Sequence, residues 1–342
     1  MNQTNNRLFS GTEAEVALAG ELFDSVAKLP IISPHGHVDP RLLAENQPFP
    51  NPAELFIYFD HYVTRLLHAQ GYSLAELGKG KTDDATARSA WKILCSNWHL
   101  YAGTASGYWL TNTFHQLFGI SETPSAENAE RLYDQIASQL LEPEFLPRSL
   151  FAKFNIEVLA TTDDPTDDLQ FHAALAADSS FNGRVIPTFR PDAYIDPRST
   201  NWKSNVSKLI SSASITEVNY KNFIAALENR RAYFKTHGAV STDHGVYEPY
   251  TAALSAEDAS RIFERALAAE ASETELREFA GHMLTEMARM SSEDGLVMTV
   301  HAGVFRNHSH ATFENFGADT GHDIPVSVEF TNNMRVLLNK YG

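Results

Sequence analysis

Two histidines separated by one residue, His35 and His37, follow a short apolar run, LPIIS, near the start of the chain. Side chains two residues apart on an extended chain point the same way, so both imidazoles can reach one divalent metal ion. Such a centre takes a third protein ligand, usually a carboxylate or another histidine. Asp243, His244 and His301 are the internal candidates for it. The alternative interpretation is a pair of surface loop histidines.

Four further apolar segments end in polar residues in the same manner: IEVLATTDDP at Asp163, RVIPTFRPDA at Arg190, GAVSTDHGV at Asp243 and GLVMTVHAG at His301. Asp163 stands where its strand ends and is therefore predicted to face a pocket. The residues after it also fit a turn, with Thr166 or Asp167 capping the next helix.

Two arginines occupy similar places in the sequence. Arg190 closes its segment, and Arg306 follows His301 by five residues. A guanidinium at either position can hold a carboxylate through two hydrogen bonds, which predicts an anionic substrate. A lone arginine is otherwise a surface charge.

The run FDHYVTRLL places Asp60, His61, Tyr62 and Arg65 at the start of a predicted helix. One interpretation is a lid that delivers His61 and Tyr62 to the site as an acid/base pair. The other is an amphipathic helix with a capping aspartate.

Apolar segments alternating with amphipathic helices predict an α/β protein with a parallel sheet and right-handed crossovers. Because parallel strands end at one edge, the polar clusters should meet there, as in a (β/α)8 TIM-type barrel. The first helix is predicted to start at a capping box formed by Ser10 and Glu13. We expect a single domain over residues 1–342, with a helical insertion at approximately 41–153 between the first two strands.

Composition excludes several functional classes. Of 342 residues, 43 are acidic and 27 basic, for a net charge of −16, so neither nucleic acid nor a membrane surface is the expected partner. One cysteine, no apolar leader and no apolar run of ~20 residues predict a cytoplasmic protein. The motifs G-x-G-x-x-G, P-loop and G-x-S-x-G are absent, so no nucleotide cofactor is expected.

Taken in order, these stretches resemble the uronate isomerase (glucuronate isomerase) family of the amidohydrolase superfamily. The similarity runs from about residue 28 to the C-terminus, through LPIISPHGHVDP, NPAELFIYFDHYVTR, ATTDDPTDDLQFH, RVIPTFRPDA, STDHG and VHAGVFRN. The resemblance implies a (β/α)8 barrel, of which this chain would supply about five strands. It also implies interconversion of D-glucuronate with D-fructuronate and of D-galacturonate with D-tagaturonate, by proton transfer between C1 and C2.

The resemblance also implies roles for individual residues. His35 and His37 would bind a divalent metal, usually zinc, whose requirement for turnover stays open. The resemblance places His61 and Tyr62 in the pocket.

The resemblance also matches Arg190 to a substrate-contacting arginine, and Asp243 and His301 to polar groups at the ends of two strands, for which we expect a catalytic role. From their positions in the sequence we also expect Arg306 and Asp163 to contact the substrate. A second copy of the chain is the expected partner in a possible homo-oligomer.

The chain departs from the family pattern in two places. Gly36 stands between the histidines where the family often has cysteine. The family continues beyond Gly342 through three more strands, one with an aspartate metal ligand, which predicts a truncated chain with little activity alone. Two alternatives stay open: a metal-dependent hydrolase of the same superfamily, and an inactive remnant.

Overall fold

The computed structural model describes residues 9–81 and 83–342. Each of the five apolar segments contains a strand at the predicted place. The strands are β1 (Ile31–Ser33), β2 (Ile156–Ala160), β3 (Arg184–Ile186), β4 (Ser241–Val246) and β5 (Val297–Ala302). Two short strands, β6 (Val304–Phe305) and β7 (Ile324–Pro325), form a small antiparallel ribbon.

The five main strands run parallel in chain order. β1, β2 and β3 form one sheet, and β4 pairs with β5 in a second. Phe189 connects the two sheets through isolated bridges to Asp163 and Thr242. All five carboxyl ends therefore lie along one edge, which gives the α/β architecture expected from the sequence.

Helices fill the connections between strands. In chain order they are α1 (Glu13–Val26), α2 (Pro40–Glu45), α3 (His61–Ala69), α4 (Asp84–Ser96), α5 (Ala105–Phe118), α6 (Ala129–Gln139), α7 (Pro147–Lys153), α8 (Gln170–Ala177), α9 (Asp192–Ile195), α10 (Trp202–Ser212), α11 (Tyr220–Thr236), α12 (Ala256–Leu267), α13 (Glu273–Asp294), α14 (His310–Phe316) and α15 (Arg335–Tyr341). A π-helical turn, Glu54–Tyr58, precedes α3, and 3-10 turns occupy Trp98–Tyr101 and Pro143–Phe145. None of the described helices is long and apolar enough to cross a membrane.

The start of α1 differs from the prediction. The capping box is formed by Thr12 and Glu15: the Glu15 amide donates to Thr12 Oγ1, and the Thr12 amide donates to Glu15 Oε2 at 2.7 Å. The predicted box of Ser10 and Glu13 is therefore wrong. Both pairs fit the S/T-x-x-E pattern, and the fold selects the pair that adjoins the first helical residue.

The start of α8 also differs. Neither Thr166 nor Asp167 is its N-cap; the helix begins after Leu169, whose φ is +53°. The Thr166 hydroxyl donates to Asp164 Oδ1 at 2.6 Å, and Asp167 Oδ1 accepts from the Leu169 amide at 2.6 Å. The turn before the helix thus uses the two side chains that were predicted to cap it.

Two large hydrophobic cores stabilise the chain. One lies wholly within residues 53–145 and is built from the insertion helices around Trp91, Phe56 and Phe114. The other lies within residues 169–296, where α10 to α13 pack against the sheet. Neither apolar core contains the polar residues Asp163, Arg190, Asp243 and His301.

Candidate functional site

A charged cluster forms where β3, β4 and β5 end. Arg190 Nη1 lies 3.3 Å from Asp243 Oδ2, and His301 Nε2 lies 3.2 Å from Asp243 Oδ1. Asp243 also accepts a hydrogen bond from the Thr299 hydroxyl at 3.2 Å. Three residues predicted from the sequence are thus brought into direct contact.

Asp192 holds this cluster in place through two hydrogen bonds. Its Oδ2 accepts from Arg190 Nε at 2.8 Å, and its Oδ1 accepts from the Gly245 amide at 2.9 Å. A Cβ at Gly245 would stand 2.8 Å from Arg190 Nη2, from Asp192 Oδ2 and from His301 Cε1. The close approach of three functional side chains therefore requires glycine at this position.

Electrostatics hold Asp243 ionised. Burial opposes its ionisation, but the hydrogen bond from His301 and the charges of His301 and Arg190 outweigh burial and lower the pKa of Asp243 to about 2. An ionised carboxylate only accepts hydrogen bonds, so His301 Nε2 must carry the proton that faces it. In the neutral form of His301, Nδ1 is then the nitrogen that can accept a proton from a substrate.

A cavity of about 460 Å³ adjoins the cluster. Its polar lining comes from the loop after β3 and from the ends of β4 and β5: Asp192, Asp196, Ser199, Thr200, Tyr247, His301 and Arg306. Arg306 is 47% exposed, and its closest carboxylate, Asp323, lies 3.4 Å away. An anionic ligand in this cavity can reach a guanidinium that is only weakly paired.

The two histidines of the H-x-H motif lie beside the same cluster. Their rings pack edge to face with centroids 5.0 Å apart. Burial and the charges of His35 and Arg190 lower the pKa of His37, while the nearby charges of Asp243 and Asp319 raise it. The charged residues that follow β3 and lie on β4 therefore act on His37.

The imidazoles of His35 and His37 can bind a divalent metal, but two ligands do not complete such a centre. Among residues 9–81 and 83–342, no group of three or more His, Cys, Asp or Glu side chains is arranged to hold a metal ion. The residues present thus fit part of a metal centre and not a whole one.

His244 does not join this group. Successive residues of a strand face opposite sides, so Asp243 faces the cluster and His244 faces away. Its ring is fully buried, and Nδ1 lies 3.0 Å from the Thr299 carbonyl oxygen. The proposal of His244 as a third ligand is therefore wrong.

Asp163, at the end of β2, lines a separate cavity of about 490 Å³ together with His37. Its Oδ2 accepts from the Thr161 hydroxyl at 2.7 Å and from the Thr188 amide at 3.2 Å. Thr161 Oγ1 also lies 2.8 Å from His172 Nε2. Asp163 is thus held in a buried network that connects β2, β3 and α8.

Burial shifts both titratable members of this network. It raises the pKa of Asp163 to about 6, although hydrogen bonds from Thr161 and Thr188 act in the opposite direction. It lowers the pKa of His172 to about 4. Low-dielectric surroundings disfavour the charged form of each group.

His61 and Tyr62 stand at the start of α3. Asp60 caps this helix by accepting from the Tyr62 amide at 2.8 Å and from the Val63 amide at 3.2 Å. In the described part of the chain, no hydrogen bond joins either residue to Arg190, Asp243 or His301. The alternative interpretation of Asp60 as a capping residue is confirmed, and it does not exclude a role for the two side chains that follow.

The segment before β7 lies between α3 and the histidine pair. A Cβ at Gly321 would approach the His61 carbonyl oxygen to 3.3 Å, and the charge of Asp319 raises the pKa of His37. The insertion is therefore connected to the strand ends by residues 317–323.

Several lining residues were missed by sequence reasoning. Asp192 could have been found, because it follows Arg190 by two residues in the RPD motif. Ser199, Thr200 and Tyr247 carry no motif of their own. Only the loop path after β3 and β4 brings their hydroxyls to the cavity.

Comparison with known proteins gives concordant matches. The family model described as glucuronate isomerase matches residues 3–342. Uronate isomerase of Corynebacterium efficiens is 46% identical over 338 residues, which are 98% of this chain and 72% of that protein. Uronate isomerase of Brucella canis is 46% identical over 341 residues, covering 98% of this chain and 73% of the relative.

Solved structures agree with the sequence matches. Glucuronate isomerase from Caulobacter crescentus superposes with a TM-score of 0.95 at 38% identity, covering 98% of this chain and 71% of that one. Uronate isomerase from Thermotoga maritima gives a TM-score of 0.90 at 26% identity, covering 100% and 73%.

Proposed function

The chain belongs to the uronate isomerase family, and from this we propose that it interconverts D-glucuronate with D-fructuronate and D-galacturonate with D-tagaturonate. The resemblance seen in the sequence is thereby confirmed. The names of the relatives favour an isomerase over the hydrolase that the sequence left open. The observation that carries the proposal is the contact of Arg190, Asp243 and His301 beside a cavity that Arg306 lines.

We propose that His301 moves the proton. Nδ1 takes the proton from C2 of the open-chain aldose while the C1 carbonyl oxygen takes a proton from water, which gives an enediol. The hydroxide so formed then takes the O2 proton as the C2 carbonyl forms, and the His301 imidazolium returns its proton to C1. Asp243 keeps the imidazole in the required tautomer and stabilises the imidazolium during the transfer, as a carboxylate does behind a catalytic histidine.

The two arginines have different surroundings, which suggests different tasks. Arg190 already contacts Asp192 and Asp243, so two carboxylates offset its charge. Arg306 is more exposed and has one carboxylate, Asp323, at 3.4 Å. We propose that Arg306 makes the main contact with the uronate carboxylate, and that Arg190 orients Asp243 and offers Nη2 to the substrate.

Roles in binding are proposed for five further residues. We propose that His35 and His37 help to bind a divalent metal, such as zinc, which when bound would polarise a sugar oxygen. His61 and Tyr62 are proposed to reach the substrate from the insertion, and Asp163 to shape the cavity that it shares with His37.

We also propose that the chain is a single domain of the (β/α)8 type with a helical insertion at approximately 41–153, because its five main strands run parallel in chain order. In such a barrel, β1 and β5 are the edges at which further strands would add. A cytoplasmic location and a homo-oligomer stay predictions.

An assay on the protein tests the proposed reaction. Incubation with D-glucuronate, followed by NMR, should show D-fructuronate. His301→Asn and Asp243→Asn should each lower kcat/KM by about a hundredfold or more, as expected for loss of an acid/base group. His115→Asn, at an exposed insertion histidine whose side chain hydrogen-bonds to Gln116, should match the wild type.

Two results would contradict the proposal. One is an active wild type whose rate is unchanged in both site variants. The other is hydrolysis of esters or amides without ketose formation.

A further inference from the structure

The H-x-H motif lies on a loop that the β-ladder does not hold. The pairing of β1 with β2 ends at Ser33 opposite Leu159. The next residue, Pro34, has no amide hydrogen to donate. His35, Gly36 and His37 therefore need another source of order if their imidazoles are to keep a fixed direction.

Side-chain hydroxyls bond two successive carbonyl groups of this loop. Thr162 Oγ1 donates to the Gly36 carbonyl oxygen at 2.8 Å, across 126 positions of sequence. Ser33 Oγ donates to the His35 carbonyl oxygen at 3.3 Å. The bond from Thr162 is the shorter of the two and attaches the loop to the end of the neighbouring strand.

Close packing adds to this attachment. A Cβ at Gly36 would stand 3.2 Å from the Ala160 carbonyl oxygen, so the loop backbone lies almost directly on β2. The adjacent Thr161 faces the other way, with its amide on Ile186 of β3 and its hydroxyl on Asp163. Two successive threonines thus hold the strands on either side of β2.

We infer that Thr162 is a positioning residue: its hydrogen bond to Gly36 fixes the directions of the His35 and His37 imidazoles toward the reacting groups. The kinetic part of this inference rests on the proposed isomerase activity, whereas the structural part does not. Losing the hydroxyl frees the Gly36 peptide and lets both rings move together. Misplacement of a functional group by about 1 Å is enough to lower catalysis strongly.

The test compares Thr162→Val, which keeps the shape and removes the donor, with Thr162→Ser, which keeps the donor. The first readout is the two-dimensional ¹⁵N–¹H imidazole spectrum of the full chain, with the His35 and His37 peaks assigned through His35→Gln and His37→Gln. Thr162→Val should shift or broaden these two sets of peaks and leave those of His172 in place. Thr162→Ser should restore the wild-type positions.

The second readout is kinetic. Thr162→Val should lower kcat/KM for D-glucuronate by between about fivefold and about a hundredfold, and Thr162→Ser by less than about twofold. Thr111→Val is the matched control, because the Thr111 hydroxyl donates to the Gly107 carbonyl oxygen at 2.7 Å in the insertion, far from the histidines in sequence. It should leave both readouts unchanged.

Gly36→Ala provides an independent route to the same displacement. Its new methyl group presses on the Ala160 carbonyl oxygen while Thr162 is intact, so the same two histidine signals should move. Unchanged His35 and His37 signals in both Thr162→Val and Gly36→Ala would overturn the inference. If the wild type shows no turnover, the proposed activity fails, and the spectra still decide the role of Thr162.

Discussion

The core of the helical insertion buries apolar side chains, whereas the strand ends also bury titratable ones. In the insertion, Phe56, Trp91 and Phe114 are buried against one another, with ring centroids 5.2 to 6.4 Å apart. At the strand ends, the buried side chains include Asp163, His172, Asp243 and His244. Apolar burial stabilises a fold, whereas burial of titratable groups costs stability and shifts their pKa values. The difference separates a region built for stability from one built for chemistry.

The apolar side chains of β5 and of the insertion core also differ in their exposure to solvent. β5 alternates between exposed and half-buried residues, and Val297 is 64% exposed. Trp91, by contrast, is 1% exposed, and its indole N–H donates to the Ala129 carbonyl oxygen at 2.9 Å. Apolar substitutions should therefore have unequal effects in the two regions.

The largest effect is expected in the insertion core. Trp91→Ala should lower the free energy of unfolding by about 3–5 kcal/mol, because it leaves a cavity and removes the indole hydrogen bond to the Ala129 carbonyl oxygen. Urea denaturation of the full chain measures it. Trp109→Ala, at a side chain that is 37% exposed, should cost much less, and equal costs would contradict a distinct insertion core.

The next largest effect, on kcat/KM, is expected from a substitution in the charged cluster. Arg190→Lys should lower kcat/KM for D-glucuronate by about thirtyfold, or about 2 kcal/mol, because an ammonium cannot contact Asp192 and Asp243 with the same geometry. Arg131→Lys, at an exposed ion pair with Glu122, serves as the control. Unchanged kinetics for Arg190→Lys would remove this residue from the site.

A third effect concerns the pH dependence of the free energy of unfolding, through the pair Asp163 and His172. The raised pKa of Asp163 gives stability at low pH that is lost as pH rises from about 4 to about 6. The lowered pKa of His172 has the opposite sign: stability is lost as pH falls from the ordinary histidine pKa, about 6.5, to about 4. In the wild type the two slopes oppose each other.

Single variants should separate the slopes. Asp163→Asn should leave a stability that rises with pH between about 4 and about 6, and His172→Gln one that falls over the same interval. Urea denaturation at several pH values tests this. Parallel curves for the wild type and both variants would show that neither group titrates abnormally.

The smallest effect is expected on the exposed strand face. Val297→Thr should change the free energy of unfolding by less than about 0.5 kcal/mol, since the side chain is largely solvated. A loss comparable to that of Trp91→Ala would mean that this face is covered in solution.

Local patterns in the sequence were enough to predict much of this molecule. The apolar runs with polar ends located all five main strands, and helical periodicity predicted the helices that alternate with them. The motifs identified the family. These features repeat every two or 3.6 residues, or are short contiguous stretches, so they can be read without a fold.

Contacts between distant residues were decided only by the tertiary structure. In the folded chain Arg190 contacts two aspartates, and Asp163 is buried in one hydrogen-bond network with His172. The His244 side chain faces away from the site, and the Thr162 hydroxyl donates to the Gly36 carbonyl oxygen. Each outcome depends on strand register and loop path across many intervening residues, and a shift of one residue would reverse the face of every side chain. The sequence by itself therefore determined which residues are present at the strand ends, and the fold determined which of them touch.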